Sequence, residues 1–376
     1  LFSASLLTAC LYLTGPPEIF SAMLETTMDI RVWELFAAIY FILLLSRVFT
    51  ELKIFPPVFA LLNRSIRDKR LIVPIFPAII GLLPMLGGAV FSAPFVEEAS
   101  KGLNLGKDQK AFLNYWFRHV WEYFFPLYSG VIMLVKIVDV PLWNIVRSQW
   151  YMSLCAIVFG LGYLFHFVRG IPPEESAQDV SPGWNAITTA FFPFLVILFG
   201  LFFKGLSFAV LIFLASVPYS VIMCRKRRVS FHRIAFAAFS PGMLLLIVSV
   251  FFFKRMIETV GMAGEFQSCA ILAGINVDAL LFLLPFLMGL ITGVTNAYVG
   301  ICFPLLLPFM VPGGTVDYSR VLFAYTSGLC GVLLSPVHLC LILTCEFFDS
   351  RLARVYPTVI SGCIIMLGVS LCRILF

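Results

Sequence analysis

The densest set of chemically useful side chains lies in one apolar stretch, Asn114-Tyr-Trp-Phe-Arg118-His119-Val-Trp-Glu122-Tyr-Phe-Phe-Pro126-Leu-Tyr128-Ser129. On a continuous helix Asn114, Arg118 and Glu122 fall at i, i+4 and i+8, on one face. Two readings are open for that face. Arg118 and Glu122 form an ion pair that braces the helix, or Arg118 turns its planar fork to an anionic substrate. His119 points roughly 100° away and is either a core histidine or a proton carrier. Pro126 removes a backbone donor and frees a carbonyl within the helix.

A second constellation lies in the C-terminal half. Ser335-Pro336-Val-His338 breaks a long apolar stretch as Pro126 does. Thr292-Gly-Val-Thr295-Asn296-Ala combines hydroxyls, an amide oxygen and free carbonyls, the oxygen donors that suit Na⁺. Its counterpart, Pro84-Met-Leu-Gly87-Gly88-Ala-Val-Phe-Ser92-Ala-Pro94, has fewer side-chain donors, but its glycines let backbone approach a ligand closely. Tight helix packing is the alternative use of either segment. The candidate substrate-binding residues are Gly87, Gly88, Ser92, Asn114, Arg118, Thr295, Asn296 and His338. The candidate coupling-ion residues are Thr292, Thr295, Asn296, Ser335, Glu122 and His119. Four histidines without H-E-x-x-H, and ten cysteines without C-x-x-C, give no metal motif. No cofactor is expected, with Na⁺ as the candidate coupling ion. Most cysteines (Cys155, Cys302, Cys330, Cys340, Cys363 and Cys372) fall in apolar runs and suit small buried side chains.

The elements that must hold these residues follow from composition. Of 376 residues, 61% are hydrophobic and 12% charged, and the mean hydropathy is +1.00. So much apolar surface cannot be buried inside a globule. A soluble enzyme, a disordered chain and a nucleic-acid binder are all excluded. Runs near the ~20 residues that span a bilayer recur along the chain, which predicts an all-α polytopic membrane protein. The predicted spans are Trp33–Leu52, Lys110–Ile137, Trp150–Val168, Ala186–Phe203, Leu206–Met223, Arg233–Phe253, Arg320–Glu346 and Tyr356–Phe376. Leu1–Thr14 is apolar but short, which suggests that an upstream span precedes Leu1.

Leu71–Ser100 and Ala279–Met310 are too long for one straight helix and carry Gly, Pro and Asn midway. Each is expected to form a re-entrant helical hairpin, because irregular backbone at membrane depth must face protein or water. If each returns to its own side, sixteen Lys and Arg fall in cytoplasmic loops and seven in outer loops, as the positive-inside rule prefers. The net charge of +6 needs no acidic partner. Pro94 and Pro304, Tyr115 and Tyr325, and Pro126 and Pro336 are each 210 apart. Both halves run span, amphipathic linker, broken hairpin, Pro-broken long helix, span. The expected organisation is two inverted repeats with broken helices at the midplane, a transporter pattern. Residues 1–70 would hold scaffold spans of the first repeat, and 71–168 its hairpin, broken helix and closing span. Residues 169–185 would form a joint, 186–278 the scaffold spans and linker of the second repeat, and 279–376 its hairpin, broken helix and closing span.

Gly81–Pro94 ("GLLPMLGGAVFSAP"), Asn114–Gly130 ("NYWFRHVWEYFFPLYSG"), Gly289–Gly300 ("GLITGVTNAYVG") and Ser335–Thr344 ("SPVHLCLILT") resemble prokaryotic integral membrane proteins of domain of unknown function family 401. That family is grouped with the ion transporter superfamily of citrate, gluconate, C4-dicarboxylate and arsenite carriers. The resemblance implies a fixed scaffold, a mobile transport domain, elevator movement, a homodimer and the inner membrane of a prokaryote. The first hairpin lacks the Ser-Asn-Thr tips of the dicarboxylate carriers. The expected function is a secondary active transporter for a small organic anion, coupled to Na⁺ or H⁺, with membrane lipid as its surroundings and no enzymatic activity. The rivals are an intramembrane hydrolase, for which His119-x-x-Glu122 offers two ligands, and an ion channel on the same scaffold.

Overall fold

The computed structural model describes residues 15–66, 68–85, 88–168, 184–201 and 206–375, and every regular element among them is helical. The chain opens with α1 (Pro16–Met28), α2 (Ile30–Glu51) and α3 (Phe55–Ser65). A hairpin follows, α4 (Lys69–Gly81) and α5 (Gly88–Ala99). Next come α6 (Lys107–His119), an irregular stretch over 120–128, α7 (Ser129–Val138) and the long α8 (Leu142–Phe167). Then follow α9 (Trp184–Gly200), α10 (Phe208–Arg227), α11 (Phe231–Ala238), α12 (Pro241–Thr259) and α13 (Met262–Leu272). A second hairpin, α14 (Val277–Thr292) and α15 (Thr295–Met310), precedes α16 (Tyr318–Leu333), α17 (Leu339–Phe347) and α18 (Leu352–Leu375).

Five apolar helical stretches are long enough to cross a membrane: α2, α8, α10, the α11–α12 run and α18. Their outer faces stay apolar, as Leu154, Val158, Leu214, Ile222, Leu245 and Ile364 show, which fits a hydrocarbon solvent. Helix starts are set by short polar side chains. The carboxylates of Asp29, Asp68 and Asp317 accept the backbone N–H of Arg31 (2.9 Å), Arg70 (3.0 Å) and Ser319 (3.0 Å), so donors left over at the helix ends are satisfied. The Arg70 hydrogen bond also holds the Asp68 carboxyl below its usual range, against a burial effect of opposite sign.

Polar contacts sort the connections into two ends. At one, Lys107 pairs with Asp349, Arg354 with Asp108 (3.6 Å) and Lys110 with Glu97 (2.8 Å), while Arg70 donates to the Val168 carbonyl (3.3 Å). At the other, Lys136 pairs with Glu34 (2.7 Å), Arg31 with Asp139 (3.9 Å) and Arg255 with Glu25 (3.7 Å), and Lys254 donates to the Ile137 carbonyl (2.9 Å). The α4–α5 hairpin starts and finishes at the first end. The α14–α15 hairpin starts and finishes at the second, where Arg320 donates to the Phe309 carbonyl (3.0 Å) and Asn144 to the Tyr318 hydroxyl (2.7 Å). Each hairpin lies against the broken helix that follows it. A Cβ on Gly289 would sit 2.2 Å from the Gly328 carbonyl oxygen, and one on Gly331 2.1 Å from that of Phe286. Only glycine lets α14 and α16 approach so closely.

The Pro-broken helix expected over Lys110–Ile137 is two helices, α6 and α7, with Pro126 inside the break. The structure corrects the expected elements in two places. The expected span at Arg233–Phe253 divides at Phe239-Ser240-Pro241, where Ser240 accepts the Met243 N–H (3.3 Å) and Pro241 occupies the first turn. The membrane-length part therefore runs on to Thr259. Helix α1 was not foreseen. It packs through Ala22 on Phe252 and Met256 of α12. Leu1–Thr14 and most of the expected joint lie outside the described residues.

Candidate functional site

The two breaks cross at the middle of the fold, and tyrosine hydroxyls satisfy the carbonyls they free. Tyr115 on α6 donates to the Leu333 carbonyl at the second break (2.9 Å). Tyr325 on α16 donates to the Glu122 carbonyl at the first (2.9 Å). These two tyrosines, 210 apart in sequence, thus cap one another's breaks. Tyr128 and His338 share the same offset and also make matching contacts. The Tyr128 hydroxyl donates to the Gly81 carbonyl of the first hairpin (2.5 Å), and His338 Nδ1 meets the Gly293 carbonyl of the second (2.7 Å). A third pair exchanges size. A Cβ on Gly88 would lie 2.6 Å from Arg118 Nε, and one on Gly328 would lie 2.3 Å from the Tyr298 ring. The large residue is on the broken helix in the first half and on the hairpin in the second.

Arg118 is 3% exposed. Its Nη1 donates to the Tyr128 hydroxyl (3.0 Å) and its Nη2 reaches the Leu83 (3.4 Å) and Met85 (3.3 Å) carbonyls. Its Nε is buried and has no partner. Among the described residues no carboxylate forms an ion pair with it. The Arg118–Glu122 ion pair, one of the two readings of that face, is therefore absent. It requires a helix running through both residues, and α6 ends at His119. Glu122 turns away to Thr295 Oγ1 (3.4 Å) and lies 3.9 Å from His119 Nε2.

Ser92 and Asn114 join the first hairpin to α6. The Ser92 hydroxyl donates to Asn114 Oδ1 (2.6 Å), and Asn114 Nδ2 donates to the Ala89 carbonyl (3.0 Å) and to Thr344 on α17 (3.2 Å). Gly87 lies outside the described residues. In the second hairpin, the Thr292 hydroxyl is spent on the Met288 carbonyl (2.6 Å), and Ser335 Oγ accepts from Val337 N (3.3 Å). Asn296 faces away from that pair, its Nδ2 4.0 Å from Met243 Sδ on α12 and its buried Oδ1 without a partner. The expected oxygen set at this tip is thus not gathered at one point: Thr295 turns to Glu122 and Asn296 to α12.

His119 is not an isolated core histidine. Its Nδ1 meets the Tyr115 carbonyl (2.7 Å), and its Nε2 faces Nε2 of His338 at 3.1 Å. One ring nitrogen of each histidine and Cys340 Sγ lie within 4.8 Å of one another. Nothing in its apolar run sets Cys340 apart from the other cysteines, and only the fold brings it beside the two histidines. The capping tyrosines were visible only as the 210-residue pairing of Tyr115 and Tyr325.

A comparison with protein families matches residues 8–375 to the family described as "Protein of unknown function (DUF401)". The chain belongs to this family. The search of curated proteins finds no match. Membership places the Arg118 and His338 constellations inside one family-wide stretch and assigns them no activity.

Proposed function

We propose that this protein is a secondary active transporter for a small organic anion, a carboxylate, bound beside Arg118. The observation that carries the reading is a buried guanidinium with a free Nε and no carboxylate ion-pair partner among the described residues, held where a hairpin tip meets a helix break. A permanent charge there is costly unless an anion completes it, and the ends of the broken helices offer backbone dipoles to an ion. The two hairpins act as re-entrant loops, and the halves as inverted repeats. The matching contacts of Tyr115 with Tyr325 and of Tyr128 with His338 support that relation. In the elevator reading, α4–α7 and α14–α17 move against a scaffold of α2, α10 and α12, in a homodimer of the prokaryotic inner membrane. Coupling is to Na⁺ or H⁺, and the unpartnered, buried Oδ1 of Asn296 is the oxygen donor that supports Na⁺. A thermal-shift screen of citrate, succinate, gluconate and acetate on purified protein, with and without Na⁺, tests the reading. At least one carboxylate should stabilise the wild type and not Arg118→Ala. Stabilisation that survives Arg118→Ala would overturn the assignment.

A further inference from the structure

We infer that His119, His338 and Cys340 form a binding site for a thiophilic divalent metal ion of the Zn²⁺ class at the crossing of the two breaks. A carbonyl oxygen only accepts hydrogen bonds, so the 2.7 Å contacts to the Tyr115 and Gly293 carbonyls place a proton on Nδ1 of both rings. Each neutral ring then presents a lone pair at Nε2, and the two lone pairs face one another at 3.1 Å. That arrangement is repulsive without a cation between them. Two zinc-bound nitrogens at ~2.0–2.1 Å in tetrahedral geometry stand roughly 3.3 Å apart, close to the separation found here. The carbonyl contacts are also the outer hydrogen bonds that metal-bound histidines make to fix ring orientation.

Cys340 adds the soft donor that selects this class over Mg²⁺ or Ca²⁺. The donor atoms of the trio lie within 4.8 Å of one another, so a closure of up to about 1 Å brings them to zinc–ligand geometry, which a small side-chain adjustment supplies. Glu122 Oε1, 3.9 Å from His119 Nε2, is the nearest fourth donor. Binding releases the Cys340 proton. A thiolate and a carboxylate then balance the two positive charges, and Arg118 keeps its own charge for an anion. His338 and Cys340 are only partly buried. The histidines come from different helices, so a bound ion would also tie the two breaks together.

The test needs no transport and is independent of the anion reading. Chelator-treated protein in detergent is titrated with Co²⁺, whose thiolate charge-transfer and tetrahedral d–d absorption report the ligand set. One Co²⁺ per chain should bind, and Zn²⁺ should displace it. Cys340→Ser should lose the charge-transfer band, His338→Gln should weaken binding at least tenfold, and Cys302→Ser should bind as wild type. X-ray absorption on the zinc-loaded wild type, which needs no variant to fold, should show at least two nitrogen ligands and one sulfur. A wild type that binds no Co²⁺ through thiolate, or an unchanged spectrum in Cys340→Ser, would overturn the site. A proton shared between the two rings would then be the cation.

Discussion

A methyl group at Gly88 is the smallest change that should disturb the site. Its Cβ would lie 2.6 Å from Arg118 Nε, 2.7 Å from Nη2 and 3.1 Å from Cζ. An ordinary contact would require the guanidinium to retreat by roughly 0.8 Å. The Nη2 bonds to the Leu83 and Met85 carbonyls are already 3.4 and 3.3 Å long and would not survive that shift. Two hydrogen bonds from a charged donor are worth about 1.5–3 kcal/mol each. The gain of Ala over Gly in a helix returns at most about 1 kcal/mol. Gly88→Ala should therefore cost about 2–5 kcal/mol. A double-mutant cycle with Arg118→Ala, read by unfolding in detergent, isolates the mechanism. On the Arg118→Ala background the clash has no partner, so Gly88→Ala should be neutral or mildly stabilising. An equal loss on both backgrounds would refute the steric reasoning, as would a wild-type cost below about 0.5 kcal/mol.

Arg118→Lys keeps the charge but cannot span Tyr128 and the hairpin carbonyls with one ammonium; the protein should fold and its carboxylate affinity should fall more than tenfold by thermal shift or calorimetry. Tyr115→Phe and Tyr325→Phe each strand a carbonyl of the opposite break and should cost about 1–3 kcal/mol, while Tyr40→Phe, whose hydroxyl serves a partly exposed carbonyl at 3.2 Å, should cost less. Gly331→Ala drives a methyl into the Phe286 carbonyl; α14 and α16 must separate, and a loss of at least 2 kcal/mol is expected, with a fully stable variant counting against the packing described. Single cysteines replacing Arg64 and Arg227 should be labelled by an impermeant reagent from one side of the membrane and one replacing Asp139 from the other, and labelling of Arg64 and Arg227 positions from opposite sides would contradict the two-ended sorting of loops.

Much of the architecture was legible because membrane constraints act on composition. The Gly- and Pro-rich centres of the two long apolar stretches announced the hairpins, and the loop charges separated into the two sets that the ion pairs now join. What the sequence concealed depends on partners distant in the chain. Asn114, Arg118 and Glu122 share a face only while the helix continues, and the break after His119 sends Glu122 to Thr295. Pro126 marked the break without marking its start, because the Tyr325 hydroxyl and the turns at 120–125 sustain it upstream of the proline. The same non-local geometry hid the opposition of His119 and His338, 219 residues apart in sequence, and the place of Cys340 beside them. The tyrosine offset of 210 was visible, yet its meaning as reciprocal capping required both breaks to be seen together.

Substrate-induced current in reconstituted vesicles bears on the transport reading without further assumption. Proteoliposomes adsorbed to a solid-supported membrane would be challenged with jumps of citrate, succinate, gluconate and acetate, with and without Na⁺. The buried, carboxylate-free Arg118 predicts a saturable transient current for at least one of these anions, absent in Arg118→Ala and strongly reduced in Arg118→Lys. No current from any of the four, a current that rises linearly without saturation, or one unchanged in Arg118→Ala would contradict a carrier whose substrate binds at Arg118.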